Sequence, residues 1–282
     1  MKRIQGNKRR GLSARRSHRA QVIVVVSGKG GVGKTNLSLN LRIDLSRRGK
    51  RVILLDADFG LANADILLDV SPMADMSDLS DTSRSLQELL VRGPDGLRVL
   101  CGVSGLTRGG QPPEVDAATC SRAVRRLVWN CDIVVVDCGT GVTPPIAAFA
   151  MSADLLVVVT TPEPTALTDA YATLKLLHIQ GFDGRVGAVV NMTNSRTEAV
   201  TVTHRLSQVA RRFLGLPIED LGYIATDRHV PAAVRQRVPV LVRYPRCSAS
   251  ACIAEVSRRI APPIANLAAR QGVWARVASL FL

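Results

Sequence analysis

Short apolar runs rich in β-branched residues alternate with stretches of helical periodicity along most of the chain. The apolar runs are Val22–Ser27, Arg51–Asp56, Leu97–Gly102, Asp132–Asp137, Asp154–Thr160, Arg185–Asn191 and a short one near Tyr223. Helical spacing is found over 36–48, 114–129, 165–180, 197–214 and 248–261. Strands separated by helices predict an α/β fold with a mostly parallel β-sheet and right-handed crossovers. Several strands are apolar on both faces, which requires helices on both sides of the sheet. No internal repeat or long linker breaks the pattern. It predicts a single domain over 21–270, a tail at 1–20 and a separate segment at 271–282.

That last segment carries its own periodicity. Val273, Trp274, Val277, Leu280 and Phe281 share one helical face, and Arg276 and Ser279 fall off it. An amphipathic helix with Trp and Phe in this position fits a lipid interface, and it also fits docking on the domain's own core.

Composition narrows the class. At 282 residues and 46% hydrophobic content, the chain builds a large core without help from disulfides. The six cysteines (101, 120, 131, 138, 247 and 252) form no C-x-x-C pair, and four of them sit in apolar patterns. They read as buried thiols of a reducing cytosol rather than metal or cluster ligands. The four histidines (18, 178, 204 and 229) are scattered and suggest no metal cluster. No run is long enough to span a membrane, and the basic start is followed by no signal-peptide pattern, so a cytoplasmic protein is expected.

The net charge of +14 is uneven, because residues 1–20 hold eight Lys/Arg and no acid. Such a tail favours anionic surfaces, whether nucleic acid, acidic lipid or an acidic protein patch, and it also suits a plain solubility tail.

The chemistry is concentrated after the first strand. Val22 to Ser27 leads into Gly28, Lys29, Gly30, Gly31, Val32, Gly33, Lys34 and Thr35, and Asn36 opens a helical stretch. Strand, glycine loop and helix in that order make a P-loop, whose inward N–H groups cradle phosphate at a helix N-terminus. Lys34 is placed to reach the β- and γ-phosphates of ATP, and the Thr35 hydroxyl to hold Mg²⁺. Asp56 and Asp58 follow the second strand at i and i+2, on one side of the chain and facing the ligand crevice of an open sheet. Asp137 ends an apolar strand in the Walker B manner and is aimed at the metal.

The second lysine, Lys29, makes the loop resemble the deviant Walker A motif, K-G-G-x-x-K-[ST], of the MinD/ParA ATPases. The stretch Thr160-Thr161-Pro162-Glu163-Pro164-Thr165-Ala166-Leu167-Thr168-Asp169-Ala170-Tyr171 narrows the likeness to the MinD-like branch, and within it to the FlhG (YlxH, FleN) flagellar regulators. Gly222-Tyr223-Ile224-Ala225-Thr226-Asp227 and Pro239-Val240 follow the same family's pattern, with Ala225 where relatives usually carry proline.

The resemblance implies a P-loop fold and a slow, partner-stimulated ATPase that dimerises around two ATP molecules. It implies catalytic roles for Asp58, which positions the attacking water, and for Lys29 and Lys34. Mg²⁺ would be held by Thr35 and, through water, by Asp56 and Asp137. Asn191 would meet the adenine edge. Lys29 would cross the dimer interface, with Asp169 as its partner. The terminal face of Val273, Trp274, Val277, Leu280 and Phe281 would reach acidic membrane lipid.

By the same resemblance, the partners would be the flagellar GTPase FlhF and proteins of the flagellar switch or basal body. However, residues 1–20 lack the D-Q-A-x-x-L-R segment with which many FlhG proteins stimulate FlhF. The competing reading is a ParA-like ATPase that coats DNA, favoured by the basic tail and a pI near 10.4. An iron–sulfur carrier of the Mrp type is more distant, because its paired cysteines are missing.

Overall fold

A computed structural model of the protein describes residues 19–58, 83–93, 96–102 and 116–261, with the single residues 67, 74, 76 and 78. Eight strands form one sheet: β1 (Gln21–Ser27), β2 (Val52–Ala57), β3 (Val91–Arg92), β4 (Arg98–Leu100), β5 (Ile133–Thr140), β6 (Leu155–Thr160), β7 (Val186–Thr193) and β8 (Ile218–Ala225). Their order is β3-β4-β2-β5-β1-β6-β7-β8. Every pairing is parallel except that of β3 with β4 at one edge.

The helices are α1 (Lys34–Arg47), α2 (Leu86–Leu89), α3 (Ala117–Leu127), α4 (Pro144–Met151), α5 (Pro164–Ile179), α6 (Arg196–Leu214), α7 (His229–Arg235), α8 (Val240–Arg243) and α9 (Ser248–Ile260). The period-2 alternation of β1 divides the core in two. Val22, Val24 and Val26 pack with residues of α3 to α6. Ile23 and Val25 pack with α1 and α7 to α9. A strand buried on both sides is therefore apolar throughout, as the pattern required.

β1 lies between β5 and β6, with Val25 beside Asp137 and Val26 beside Val158. β2 pairs with β5 so that Asp56 stands opposite Asp137. The carboxyl ends of β1, β2 and β5 thus meet in one crevice, where open parallel sheets bind ligands. Helix α1 is tied to α8 of the same layer by polar contacts. Asn40 Oδ1 accepts from the Leu241 N–H at 2.9 Å, and the Arg47 guanidinium donates to the Leu241 carbonyl at 3.1 Å.

Several elements exceed what the pattern predicted. The edge strand β3 and the short helices α2, α4, α7 and α8 have too few residues to show a period. β8 begins well before Tyr223, because its first residues, Ile218-Glu219-Asp220, mix polar side chains into an edge strand. Helix α3 starts at Ala117, where the Asp116 side chain caps it by accepting from the Thr119 N–H at 2.7 Å. Cys101, Cys120, Cys131 and Cys138 are buried free thiols, as their apolar settings indicated. Among the described residues, no helix is long and apolar enough to cross a membrane. The terminal face of Val273 to Phe281 and most of the basic tail lie outside the described residues.

Candidate functional site: a nucleotide crevice

The loop Gly28–Gly33 joins the end of β1 to α1, and two of its glycines are fixed by what surrounds them. A Cβ on Gly28 would lie 2.1 Å from the Asp169 carbonyl oxygen. Gly33 has φ +91°, and a Cβ there would lie 2.3 Å from Asn191 Nδ2. At Gly28 a side chain would collide with the backbone of α5, and at Gly33 the left-handed φ strains any other residue.

Lys34 is nearly buried, and its Nζ donates to Ser27 Oγ at 2.8 Å. Ser27 Oγ in turn donates to the Lys29 carbonyl at 2.7 Å. Burial lowers the Lys34 pKa, against the pull of Asp137 and Asp58. A buried ammonium held between acids at the foot of a glycine loop is built to meet a multiply charged anion.

Asp137 is fully enclosed. Ser38 Oγ donates to its Oδ1 at 3.0 Å, and Thr35 also hydrogen-bonds to the carboxylate. Among the described residues, its Oδ2 is buried without a hydrogen-bond partner. Burial pushes the Asp137 carboxyl up to about 6, against Thr35, Ser38 and Lys34. An orphaned carboxylate oxygen beside Thr35 and Asp56 is a set of hard oxygen donors that fits Mg²⁺.

Asp58 lies just past β2, with its backbone N–H donating to Asp56 Oδ1 at 3.1 Å. A Cβ on Gly139 would lie 2.9 Å from Asp58 Oδ1, so the acid lies directly over the strand end that follows Asp137. Burial raises its pKa, with Lys34 opposing. Asp56, Asp58, Asp137, Lys34 and Thr35 therefore gather in one place.

Three more expected site residues make contacts within the protomer. Lys29 forms an ion pair with Glu163 and donates to Thr165 Oγ1 at 3.2 Å. Asp169 presses its backbone against Gly28. The side chain of Asn191 is buried against the P-loop, where Nδ2 donates to the Val32 carbonyl at 2.7 Å. Its Oδ1 accepts from the Met192 N–H at 2.9 Å, so the amide ties β7 to the loop.

Ser27, Ser38 and Glu163 are site residues that the sequence reading missed. Ser38 had a signal, because it lies three residues after Thr35 and so on the same side of α1. The fold also brings His229 together with Asp227 and Cys247, within 4.8 Å of one another, although histidine spacing alone suggested no cluster. The Asp227 oxygens are already engaged, by the N–H groups of His229 and Ala249 and by the His229 ring. This cluster fastens α7 to the start of α9.

A family model described as ParA, NUBPL iron-transfer P-loop NTPase, matches residues 18–261. The chain belongs to the MinD/ParA family of P-loop ATPases. It is similar to the antiactivator FleN of Pseudomonas aeruginosa, with 36% identity over 86% of this chain and 87% of that protein. The flagellum site-determining protein YlxH of Helicobacter pylori is 33% identical over 76% of this chain and 73% of its own length. The fold matches the MinC:MinD cell division protein complex of Aquifex aeolicus with a TM-score of 0.69 and 25% identity, over 88% of this chain and 99% of that one.

Membership makes the protein an ATP-hydrolysing enzyme and implies the Mg²⁺ and ATP typical of the family. When bound, the metal supplies charge neutralisation at the phosphates. The residues that fit it are Thr35 and the carboxylates of Asp56 and Asp137. In phosphoryl transfer nearly all the work is positioning and electrostatics.

Proposed function

We propose that the protein is an ATP-switched dimer that sets the number or placement of flagella at the cytoplasmic membrane. The observation that carries the switch is Lys29. It stands exposed at the mouth of the crevice, held within the protomer by the exposed side chains of Glu163 and Thr165. Such a surface pair is worth about 0–1 kcal/mol, so a nucleotide phosphate on a facing protomer competes for the ammonium readily. In this reading Lys34 grips the β- and γ-phosphates, and Asp58 orients the water. Asp56 and Asp137 hold Mg²⁺ through water, and Asp169 lies close to the interface. The flagellar assignment is supported by the likeness to FleN and YlxH. FlhF and switch or basal-body proteins are the partners it suggests.

Membrane attachment would come through the terminal face of Val273, Trp274, Val277, Leu280 and Phe281, with two copies per dimer giving avidity of about 10²–10⁴-fold. The test is Lys29→Ala, examined by light scattering with ATP. A folded monomer that no longer dimerises or hydrolyses ATP supports the switch, and normal ATP-dependent dimers overturn it.

A second reading, a DNA-coating partition ATPase, is favoured by the basic segment 1–20. Vesicle pelleting and DNA gel shift, each with and without ATP, separate the two.

A further inference from the structure

Asp227, His229 and Cys247 belong to different parts of the chain, yet one ligand atom of each lies within 4.8 Å of the others. Asp227 stands just past the end of β8, His229 opens α7, and Cys247 is the N-cap of α9. The Asp227 side chain is 7% exposed and that of His229 36%. Cys247 is half-buried. The cluster is thus held by the fold and still reached by solvent.

The carboxylate at its centre is fixed by the backbone. Oδ1 accepts from the His229 N–H at 2.9 Å and Oδ2 from the Ala249 N–H at 3.1 Å. An ionised carboxylate has about four acceptor sites, so two remain for side chains. Both are turned to groups that ligate metals. His229 Nδ1 lies 2.7 Å from Oδ1, and the Cys247 thiol hydrogen-bonds to the same carboxylate. The Tyr244 ring rests against the imidazole at 4.8 Å between centroids, and Ser250 Oγ lies 3.4 Å from Cys247 Sγ. Ser250 Oγ in turn donates to the Tyr244 carbonyl at 2.8 Å. Fastening α9 to the end of β8 needs only the Ala249 bond. It does not call for an imidazole and a thiol on one carboxylate.

We propose that Asp227, His229 and Cys247 form a binding site for a thiophilic divalent cation of the Zn²⁺ class, with water in the fourth position. Imidazole nitrogen, thiolate and carboxylate oxygen are the donors that Zn²⁺ takes, whereas Mg²⁺ and Ca²⁺ take oxygen. Tetrahedral bonds of about 2.0–2.3 Å put the donors about 3.3–3.6 Å apart. The Nδ1–Oδ1 pair opens slightly to meet this, and no atom travels far. On binding, Sγ releases its proton to solvent and Nδ1 gives its lone pair to the ion, the ring keeping a proton on Nε2. Carboxylate, thiolate and ion then sum to zero charge. The His229 and Ala249 N–H groups stay on the carboxylate as the outer bonds that orient it. β6 and β7 stand between β8 and β1, so this site is separate from the oxygen donors around the P-loop. A bound ion joins the end of β8, α7 and α9 at one point.

The test uses the full-length protein without a histidine tag, freed of metal by a chelator and titrated with Co²⁺ as a coloured stand-in for Zn²⁺. A thiolate-to-cobalt charge-transfer band that saturates at an equimolar amount, and that Zn²⁺ bleaches, is expected. Cys247→Ser should lose the band, and His229→Gln should weaken Co²⁺ binding about tenfold or more. Cys252→Ser, which removes the other half-buried thiol, should leave the band unchanged. Cobalt at the oxygen donors of the nucleotide crevice gives no thiolate band. Absence of the band in excess Co²⁺, or its survival in Cys247→Ser, overturns the site. Should Cys247→Ser fail to fold, alkylation of wild-type Cys247 by iodoacetamide decides the matter. Protection by Zn²⁺ supports the site, and an unchanged rate overturns it.

Discussion

Ser38 donates its hydroxyl to Oδ1 of Asp137 at 3.0 Å, and both side chains are buried beneath the P-loop. The bond fixes one oxygen of the strand-end carboxylate, while Oδ2 is buried without a hydrogen-bond partner among the described residues. Ser38→Ala removes a hydrogen bond to an enclosed acid, and a loss of about 1–3 kcal/mol is expected. Denaturant melts measure that loss. A magnesium titration of ATP binding should show weaker metal dependence in the variant. Unchanged values in both would mean that Asp137 is held by its strand alone.

Gly33→Ala should abolish nucleotide binding even when the contact with Asn191 is relieved. The left-handed backbone alone costs a non-glycine residue about 1–3 kcal/mol. The double variant Gly33→Ala, Asn191→Ala separates strain from collision. Recovery of ATP affinity in the double variant would show that the collision was the whole effect.

Lys34→Ala should eliminate ATP binding in calorimetry, because the buried cation is the only ammonium among the described residues that bonds to Ser27 inside the loop. Asp58→Ala should behave differently, binding ATP and forming dimers while phosphate release stops. Phosphate release at the wild-type rate would remove Asp58 from water positioning.

Asp227 gives a pH dependence with a definite sign. Burial works to raise its carboxyl, but hydrogen bonds from the backbone of His229 and Ala249, the His229 ring and Cys247 outweigh it and hold the group well below the usual carboxylate range. A depressed folded pKa contributes stability at every pH above the unfolded value of about 3.9, and that stability is lost as pH falls through the folded value. Asp227→Asn should therefore be less stable than wild type at neutral pH, with the gap closing below about pH 4. A gap that stays constant from neutral to acid pH would contradict this.

How much of this was legible depended on whether the signal was local. The P-loop could be read because strand, glycines and helix are consecutive, and Gly33 needs its unusual φ whatever the distant packing. Asp137 could be read because four apolar residues lead into it. The Lys29–Glu163 pair was not legible, because it joins loops after β1 and β6 that meet only when those strands pair. For Asn191 the family resemblance implies a base contact. Its bond to Val32 depends on how close β7 comes to the loop, which no spacing encodes. The Asp227, His229 and Cys247 cluster joins two helices across a gap in sequence. Helix α4, with only eight residues and almost all of them apolar, offers no period to read.

The central position of β1 has a consequence for biosynthesis. The strand that delivers the P-loop is the first to leave the ribosome, yet its register partners are Ile133 to Asp137 on one side and Leu155 to Val158 on the other. Until those segments have been translated, a run of five valines and isoleucines has no neighbour on either edge. Strands that pair late and far along the chain fold slowly and are exposed to aggregation. The nascent chain thus carries its most adhesive stretch unguarded until the segment up to Val158 has been made, behind residues whose positive charges repel other copies of themselves.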